Sequence, residues 1–485
     1  MPANAHHGSG NTSYANPILP GWNSDPSCVF VPELDNTFFC TVSSFLSFPG
    51  IPVYASKDLV NWKLASHALN RAEQLPELSH SGTPSEGTWA STIRYHKGTL
   101  YLITAYISWY DGWHPDIRLF STTNPYDDAG WGDPVIVQNP GNDIDPDLFF
   151  DDDSGKVYMS VAAGIWISEL DVGTGAALTE PFRVWNGTGD RNPEGPHLYR
   201  KDGYYYLLIG EGGTETNHSV TLARATDIRG PYEAYPGNPL LTAKNTDDYF
   251  QTVGHADLFQ DAAGNWWGIC LATRSGPTWE IYPMGRETVL FPVTWEEGEW
   301  PVVDPIRGKM SGPLPPLDKK LPKAGPFVGE PEAMDFAPGS NLPGSFLFWR
   351  PPAEELFAVS PPEQPNSLKI TPSRVNLTTD VGYDPRVEGL GFVARKQTAT
   401  LFDFSVDLLF APTTADTEAG ITIFLTEYQH VDLGVVLLPD PYNGALVPSF
   451  RFRAETSGKP NITAPPETVV PIPHSHSCRR ICDEK

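Results

Sequence analysis

The sequence predicts an all-β protein, in which a five-bladed β-propeller is followed by an antiparallel β-sandwich. The chain of 485 residues contains 49 Pro and 43 Gly, which would interrupt helices repeatedly but are accommodated where short strands are joined by turns. A hairpin pattern recurs five times at intervals of roughly fifty to sixty residues, a period typical of propeller blades. Alternating apolar runs resume after a Pro-rich stretch, which indicates a second β-domain.

Each of the five repeats consists of an apolar strand, a short polar turn and an aromatic-rich strand. The turns are rich in Asp, Asn, Gly and Lys, which suit tight hairpins whose residues need a positive φ. The paired runs are 27–31 with 37–42, 92–95 with 99–104, 148–150 with 156–160, 197–199 with 204–209, and 257–259 with 265–271.

Each repeat also shows one further strand. Radial repetition of such units leaves only short, protected sheet edges. We therefore predict that residues 16–315 form the propeller, with the further strands at 53–56, 117–122, 165–170, 220–225 and 288–292.

The rest of the chain divides by composition. Residues 316–332 are rich in Pro and Lys, which predicts a linker or a strap across the first domain. Residues 471–485 hold a His/Cys tract that matches no standard zinc spacing, so an irregular tail is predicted. Between them, 333–470 are predicted to form the sandwich from runs at 346–349, 367–371, 391–394, 401–410, 420–425, 431–438 and 450–453.

Charge and hydropathy exclude some partners. The formal net charge of −26 disfavours nucleic acid, because the field of the protein repels phosphates, whereas a neutral ligand such as a sugar is not repelled. The chain has no apolar run of about eighteen residues, so we expect no membrane-spanning segment.

The cysteines and the N-glycosylation sequons indicate whether the protein is secreted. Cys28 and Cys40 either pair across the first hairpin or remain buried thiols. Residues 1–16 lack the apolar core of a signal peptide, yet the sequons favour a secreted protein. The five Asn-X-Ser/Thr sequons begin at Asn11, Asn186, Asn217, Asn376 and Asn461.

Candidate catalytic residues precede the five hairpins, where they would face the propeller axis. Three are carboxylic acids next to a proline: Asp25, Asp145 and Glu194. Acids beside prolines are common in turns, so each alone would be structural. Their shared position in the repeat predicts that they converge, and buried carboxylates are tolerated mainly at functional sites.

Other side chains could line the same site. Trp89 either packs its blade or offers a flat apolar face to a sugar ring. His255 is either a hydrogen-bonded core histidine or a ligand. Arg274 could neutralise the acids or bind substrate hydroxyls, or it is an ordinary salt-bridge partner.

Several blocks together resemble the fungal branch of family 43 glycoside hydrolases, over about residues 16–463. The nearest types are arabinofuranosidases that remove arabinose from doubly substituted xylose units of arabinoxylan, and β-xylosidases. The resemblance implies a five-bladed propeller followed by a lectin-like β-sandwich. Relatives continue through further sandwich strands, so we expect an incomplete second domain and reduced stability. The matching blocks are 16–27, 48–56, 58–62, 144–150, 193–197, 253–259 and 284–292.

The resemblance also implies roles. Asp25 would be the general base, Glu194 the general acid, and Asp145 the residue that orients the acid and raises its pKa. An inverting hydrolase needs one ionised carboxylate to activate water and one protonated acid for the leaving oxygen. Phe45 and Trp89 would form apolar walls of the sugar pocket, with polar contacts from His255 and Arg274.

The predicted function is release of terminal α-L-arabinofuranosyl units from arabinoxylan by inverting acid/base hydrolysis. A β-xylosidase acting on xylo-oligosaccharides is the alternative within enzymes. A non-catalytic carbohydrate-binding propeller is the alternative from another class, although a lectin needs no proton donor. No cofactor is required, but Ca²⁺ or water could occupy the axis beneath His255, and a monomer is expected.

Overall fold

The computed structural model describes residues 12–110, 112–278, 284–378, 384, 388–457 and 461–472. Asn11 and most of the predicted tail, 473–485, lie outside the described residues. The chain divides into two units. Unit 1 comprises 1–333, 343–350 and 394–400, and unit 2 comprises 334–342, 351–393 and 401–485.

Five antiparallel sheets follow one another along unit 1, and all five predicted hairpins and the five further strands are confirmed. Sheet 1 consists of Ser27–Val31, Thr37–Thr41, Gly50–Ser56 and Lys63–Leu69; sheet 2 of Gly87–His96, Thr99–Ile107, Asp116–Thr122 and Val135–Val137; sheet 3 of Ile144–Asp151, Lys156–Ala162, Trp166–Asp171, Ala176–Ala177 and Phe182–Arg183; sheet 4 of Glu194–Lys201, Tyr204–Glu211, Ser219–Ala225, Glu233–Ala234 and Leu241–Thr242; sheet 5 of Phe250–Gln260, Trp266–Arg274, Glu287–Thr294 and Val302–Val303.

The first strands of these sheets, called the inner strands below, form a closed ring. Each contacts the inner strand of the next sheet, and that of sheet 5 contacts that of sheet 1. A ring of radially arranged sheets is the architecture of a propeller, so the predicted all-β class is confirmed. Apolar side chains fill the space between the sheets, and the indoles of Trp62, Trp131 and Trp267 are fully buried there.

Two further pairings complete unit 1. Thr12–Ala15 pairs with Lys309–Gly312, which brings the two ends of the propeller segment together. Phe346–Trp349 was predicted in the sandwich, but it pairs with Ser47–Phe48 and with Ala394–Arg395 of unit 1. The run has an apolar strand pattern in either setting, so the pattern alone could not choose its partner.

Unit 2 is built around one four-stranded sheet. Its strands, in order, are Glu418–Thr426, Gln429–Pro439, Leu446–Thr456 and Thr468–Pro471. The last strand was not predicted, because the Pro-rich stretch before it resembles a loop. A hairpin joins Phe357–Val359 and Leu368–Ile370.

The predicted strand at 401–410 is wrong. No strand lies there, and its apolar side chains are exposed, with Leu401 91% accessible. Its alternation of apolar and polar residues therefore does not reflect a buried sheet face in this structure.

Short 3₁₀ turns and one disulfide complete the description. Cys28 and Cys40 form the disulfide between two paired strands of sheet 1, which decides between the two alternatives, while Cys270 is a buried free thiol. Among the described residues, no helix is long and apolar enough to span a bilayer. The 3₁₀ turns are Pro32–Leu34, Ala72–Gln74, Pro76–His80, Asp128–Gly130 and Glu354–Leu356.

Candidate active site

The predicted axial residues lie where regular strand geometry is interrupted. Asp25, Asp145 and His255 have φ values of 52°, 53° and 49°, in the left-handed region that side chains other than Gly rarely occupy. The pairing of the inner strands of sheets 2 to 5 shifts register next to Trp89, Asp145, Glu194 and His255. Such bulges re-aim side chains and recur at active sites, where backbone strain is tolerated.

One imidazole, that of His255, lies between two of the acids. Its Nδ1 is 3.8 Å from Asp25 Oδ1 and 3.6 Å from Glu194 Oε1. The two carboxylate oxygens are therefore within 7.4 Å of each other, the most that these two distances allow. That upper limit includes both the separation of about 6.5–9.5 Å found in inverting glycosidases and the shorter one of about 5–5.5 Å found in retaining ones, so it does not choose between them.

Gly195 permits this close approach. Its φ is +53°, and a Cβ at this position would lie 2.9 Å from His255 Nε2. Its amide donates a hydrogen bond to Asp145 Oδ2 at 3.0 Å, which ties the strand of Glu194 to the neighbouring acid. The Pro-Glu-Gly sequence thus places Glu194 against both His255 and Asp145.

Asp25 is held in its ionised form. Burial alone would raise its pKa, but Arg286 and His255 outweigh burial and lower the pKa below its ordinary value. Arg286 Nη1 lies 3.3 Å from Oδ1. Ser43 Oγ donates to Oδ2 at 2.5 Å and itself accepts from the amide of Ala90 at 2.7 Å.

Asp145 shows the opposite behaviour. Burial raises its pKa to about 7, partly offset by His255 and reinforced by the neighbouring charges of Glu194 and Asp25. A carboxyl group at this position is therefore largely protonated just below neutral pH. Two carboxyl groups of the same site thus have pKa values shifted in opposite directions, which is typical of acid/base sites.

Glu194 contacts two histidines, and its pKa is shifted in the direction opposite to the expected one. Its Oε1 lies 3.0 Å from His218 Nε2 and 3.6 Å from His255 Nδ1. Burial raises its pKa, but these imidazoles outweigh burial and lower it. The resemblance implied a raised pKa through Asp145, so an acid at Glu194 needs another source for its proton.

Aromatic side chains line one side of the acids. The ring of Phe45 lies 5.5 Å from that of Trp22 and 6.0 Å from that of Trp89, and the guanidinium of Arg286 lies 4.9 Å from the Trp22 ring. Phe45 has φ 51° and bridges to the inner strand of sheet 2 through Thr88. These rings form an apolar wall, and contact of Phe45 and Trp89 with a sugar stays a prediction.

The wall continues outwards from Trp89. Trp109 lies 6.3 Å from Trp89 and stacks on Trp113 at 5.5 Å. Both outer indoles are partly exposed, at 43% and 38%. Rigid exposed rings beside a pocket provide flat apolar surfaces of the kind that stack on sugars.

Arg274 does not reach the acids. Its Nε and Nη2 bind the two carboxylate oxygens of buried Glu287 at 2.5 and 2.9 Å. The salt-bridge alternative therefore describes Arg274, and Arg286 provides the positive charge beside Asp25. The site prediction for Arg274 is corrected accordingly.

A charged cluster fills the propeller axis, with contributions from all five inner strands. Arg94 Nη2 lies 2.8 Å from Asp147 Oδ1 and 3.0 Å from His197 Nδ1, and Arg94 Nη1 lies 2.8 Å from Asp257 Oδ2. Ser27 also donates to Asp257, at 2.6 Å. Burial raises the pKa of Asp257, but Arg94 outweighs it and holds that pKa at about 2.

These axial residues do not fit a calcium ion. Both carboxylates already bind the single guanidinium of Arg94, which would compete with a divalent cation for the same oxygens. Within the part of the chain that the structure describes, no group of three or more His, Cys, Asp or Glu side chains could hold a metal.

Sequence reasoning missed three polar residues of the site: Ser43, His218 and Arg286. None of them lies in the equivalent position before a hairpin that singled out the acids. Arg286 and His218 each directly precede the third strand of their sheet, sheet 5 and sheet 4 respectively, and this shared position is the one signal that could have found them. Only the folded structure distinguishes Arg286 from Arg274, which ends the preceding strand.

Comparison with known proteins agrees with this geometry. The sequence profile of "Glycosyl hydrolases family 43" matches residues 14–301, and that of "Beta xylosidase C-terminal Concanavalin A-like domain" matches residues 333–467.

Similar proteins carry two kinds of name. A non-reducing end alpha-L-arabinofuranosidase of Bacteroides ovatus is 35% identical over 426 residues, covering 87% of this chain and 75% of that protein. Xylosidase/arabinosidase 43B of the fungus Humicola insolens is 30% identical over 440 residues, covering 87% and 76%. The solved structure "Bacteroides ovatus Xyloglucan PUL GH43B" superposes with a TM-score of 0.79 at 32% identity, covering 95% of this chain and 85% of that one.

Proposed function

This chain belongs to glycosyl hydrolase family 43, whose members are inverting glycosidases, and on that premise we propose that it releases terminal α-L-arabinofuranosyl units from arabinoxylan. The observation that carries the proposal is a set of three carboxyl groups around His255 beside an aromatic wall: buried Asp25 and Asp145, and partly buried Glu194. A non-catalytic carbohydrate-binding protein has no need for such a set.

Asp25 is the proposed general base. Arg286, His255 and Ser43 stabilise its carboxylate, so it is ionised at neutral pH and can accept a proton from water. The hydroxide-like oxygen then attacks the anomeric carbon from the face opposite the leaving group, which inverts the configuration.

Glu194 is the proposed general acid. It donates a proton to the glycosidic oxygen as the bond to the anomeric carbon breaks. Asp145 acts as a positioning residue, since it holds the amide of Gly195 next to Glu194. Phe45 and Trp89 support apolar contact with the sugar ring, and His255 can donate to a hydroxyl or to the acids.

The substrate preference rests on the relatives' names. The B. ovatus protein is named an arabinofuranosidase, which supports the arabinosyl substrate. A β-xylosidase is the second candidate, favoured by the name of the domain that matches residues 333–467 and by the double name of the H. insolens relative.

The experiment is to incubate the full chain separately with arabinoxylan and with xylo-oligosaccharides and to identify the pentose released. We expect arabinose from arabinoxylan, and xylose from the end of xylo-oligosaccharides would favour the second candidate. A Glu194→Gln variant is the matched control, because it keeps the shape of the side chain without an acidic proton. Release of neither sugar by the wild type would contradict hydrolysis.

We also propose that the protein is a secreted monomer that works without added metal. The sequon asparagines Asn186, Asn217 and Asn461 are exposed, which supports glycosylation on a secretory route. The pairing of Arg94 with Asp147 and Asp257 supports activity that survives EDTA. Size-exclusion chromatography, glycan detection on secreted protein and assays with EDTA test these three statements.

A further inference from the structure

His218 lies in a closed space behind Glu194. It directly precedes the third strand of sheet 4, and its side chain has no accessible surface. A Cβ on Gly254 would lie 2.4 Å from the imidazole, and one on Gly210 would lie 3.3 Å from Nε2. Glycines at both positions therefore make room for this ring and fix its place against the acid.

The ring's hydrogen-bonding partners fix its tautomer. Nδ1 lies 3.1 Å from the backbone oxygen of Thr252. A carbonyl oxygen can only accept, so Nδ1 carries a proton and donates it. In the neutral ring, Nε2 then has only a lone pair to offer.

Nε2 lies 3.0 Å from Glu194 Oε1, yet it is a buried polar atom that makes no hydrogen bond in this geometry. An ionised carboxylate can also only accept, so two acceptors would face each other without a hydrogen bond in a place closed to water. One proton between the two atoms removes this conflict. It is carried either by the carboxyl, which donates to Nε2, or by the imidazole, which donates to the carboxylate.

We propose that Glu194 and His218 share one proton and act together as the acid of the site, with His218 as the positioning residue that retains this proton. The proposal rests on the assignment of Glu194 as the general acid. The contacts with the two imidazoles favour the ionised form of Glu194, so Glu194 alone would lack the proton that a general acid must donate. The proton shared with His218 would supply it.

The surrounding charges are consistent with a shared proton. The groups facing the pair are His255, Asp145 and, beyond His255, Asp25. Burial lowers the pKa of His255, but hydrogen bonding to Glu194 and the charges of Asp25 and Asp145 outweigh it and raise this pKa to about 9. His255 is thus a cation at neutral pH, and the proton between Glu194 and His218 is an additional one.

The hydrolytic step balances with this proton. The bond from the anomeric carbon to the glycosidic oxygen breaks, its electron pair goes to that oxygen, and the oxygen takes the proton from the pair. Water forms the new bond to the anomeric carbon and gives one proton to Asp25. The pair is left as a carboxylate facing a neutral imidazole, and it is reloaded by the proton from Asp25 through solvent.

His218→Gln tests the proposal in the full-length protein. The amide of Gln can donate to ionised Glu194 but cannot hold an additional proton, so the alkaline limb of the kcat/KM profile should move down by about one pH unit or more. On arabinoxylan oligosaccharides, kcat should fall about tenfold or more. On 4-nitrophenyl α-L-arabinofuranoside, whose leaving group needs little protonation, kcat should stay within about threefold.

Two controls separate the outcomes. His430→Gln removes a buried imidazole of unit 2, which contacts Asp432 and belongs to a unit that contains none of the three acids, and it should leave the pH profile unchanged. Glu194→Gln tests the acid itself: full activity of this variant on arabinoxylan would refute the proposed function. If Glu194→Gln is inactive while His218→Gln keeps the alkaline limb or loses both substrates equally, only the shared proton is refuted.

A measurement on the wild type covers the case in which His218→Gln does not fold. Nitrogen-15 NMR of histidine-labelled protein should show His218 Nδ1 protonated across the active pH range. Its Nε2 signal should titrate together with the alkaline limb of activity. An unprotonated Nδ1, or an Nε2 signal that is constant through this limb, would overturn the proposal.

Discussion

Ser43→Ala removes the hydroxyl that donates to Asp25 Oδ2 at 2.5 Å. A hydrogen bond to a charged group contributes about 1.5–3 kcal/mol, and 1.36 kcal/mol corresponds to about one pKa unit. Because the lost donor stabilises only the ionised carboxylate, the pKa of Asp25 should rise by about one to two units. The acid limb of kcat/KM, which reports the base in the free enzyme, should move to higher pH by that amount.

Ser44→Ala is the matched control for this change. Ser44 is the next residue, is also buried and bonds Thr88 Oγ1 and the amide of Ile51, but does not contact Asp25. Either variant loses about 1–3 kcal/mol of unfolding free energy through an unpaired buried amide, so profiles are compared below the melting transition. If Ser43→Ala keeps the wild-type acid limb while folded, Asp25 is not the group that this limb reports.

Three other variants give distinct outcomes. Gly195→Ala should reduce kcat by about tenfold or more, because the added Cβ would displace His255 and the residue would be strained at positive φ. An unchanged kcat would show that catalysis does not need His255 packed against residue 195. Trp109→Ala should raise KM for arabinoxylan oligosaccharides more than for a 4-nitrophenyl glycoside, and equal KM changes would exclude sugar contact there. The Cys28→Ser, Cys40→Ser double variant should lose about 3 kcal/mol of unfolding free energy, measured by denaturant titration, and no loss would mean that the disulfide does not form.

The repeat in the sequence predicted most of the propeller and the acids. Each hairpin has turn residues suited to its geometry, so the end of each inner strand at the turn was placed within two residues. The inner strands of sheets 2 to 5 nevertheless begin three to seven residues earlier than predicted. Asp25, Asp145, Glu194 and His255 share one position in this repeat, and that symmetry predicted their convergence without any measured distance.

Contacts between remote segments could not be predicted in the same way. Arg274 and Arg286 are only twelve positions apart in the sequence, and only the fold shows that Glu287 binds the first and Asp25 the second. His218 follows an exposed loop without a distinctive motif, and its role depends on Thr252 and Glu194 in other strands. The strand predicted at 401–410 failed because alternation describes a potential sheet face but supplies no partner to cover it.

The most direct test of the central claim is ¹H NMR of the sugar first released from an arabinoxylan oligosaccharide by the wild-type protein. Asp25 activating water opposite Glu194 predicts that β-L-arabinose appears first and then mutarotates. First appearance of the α-anomer, or of xylose without arabinose, would contradict the account.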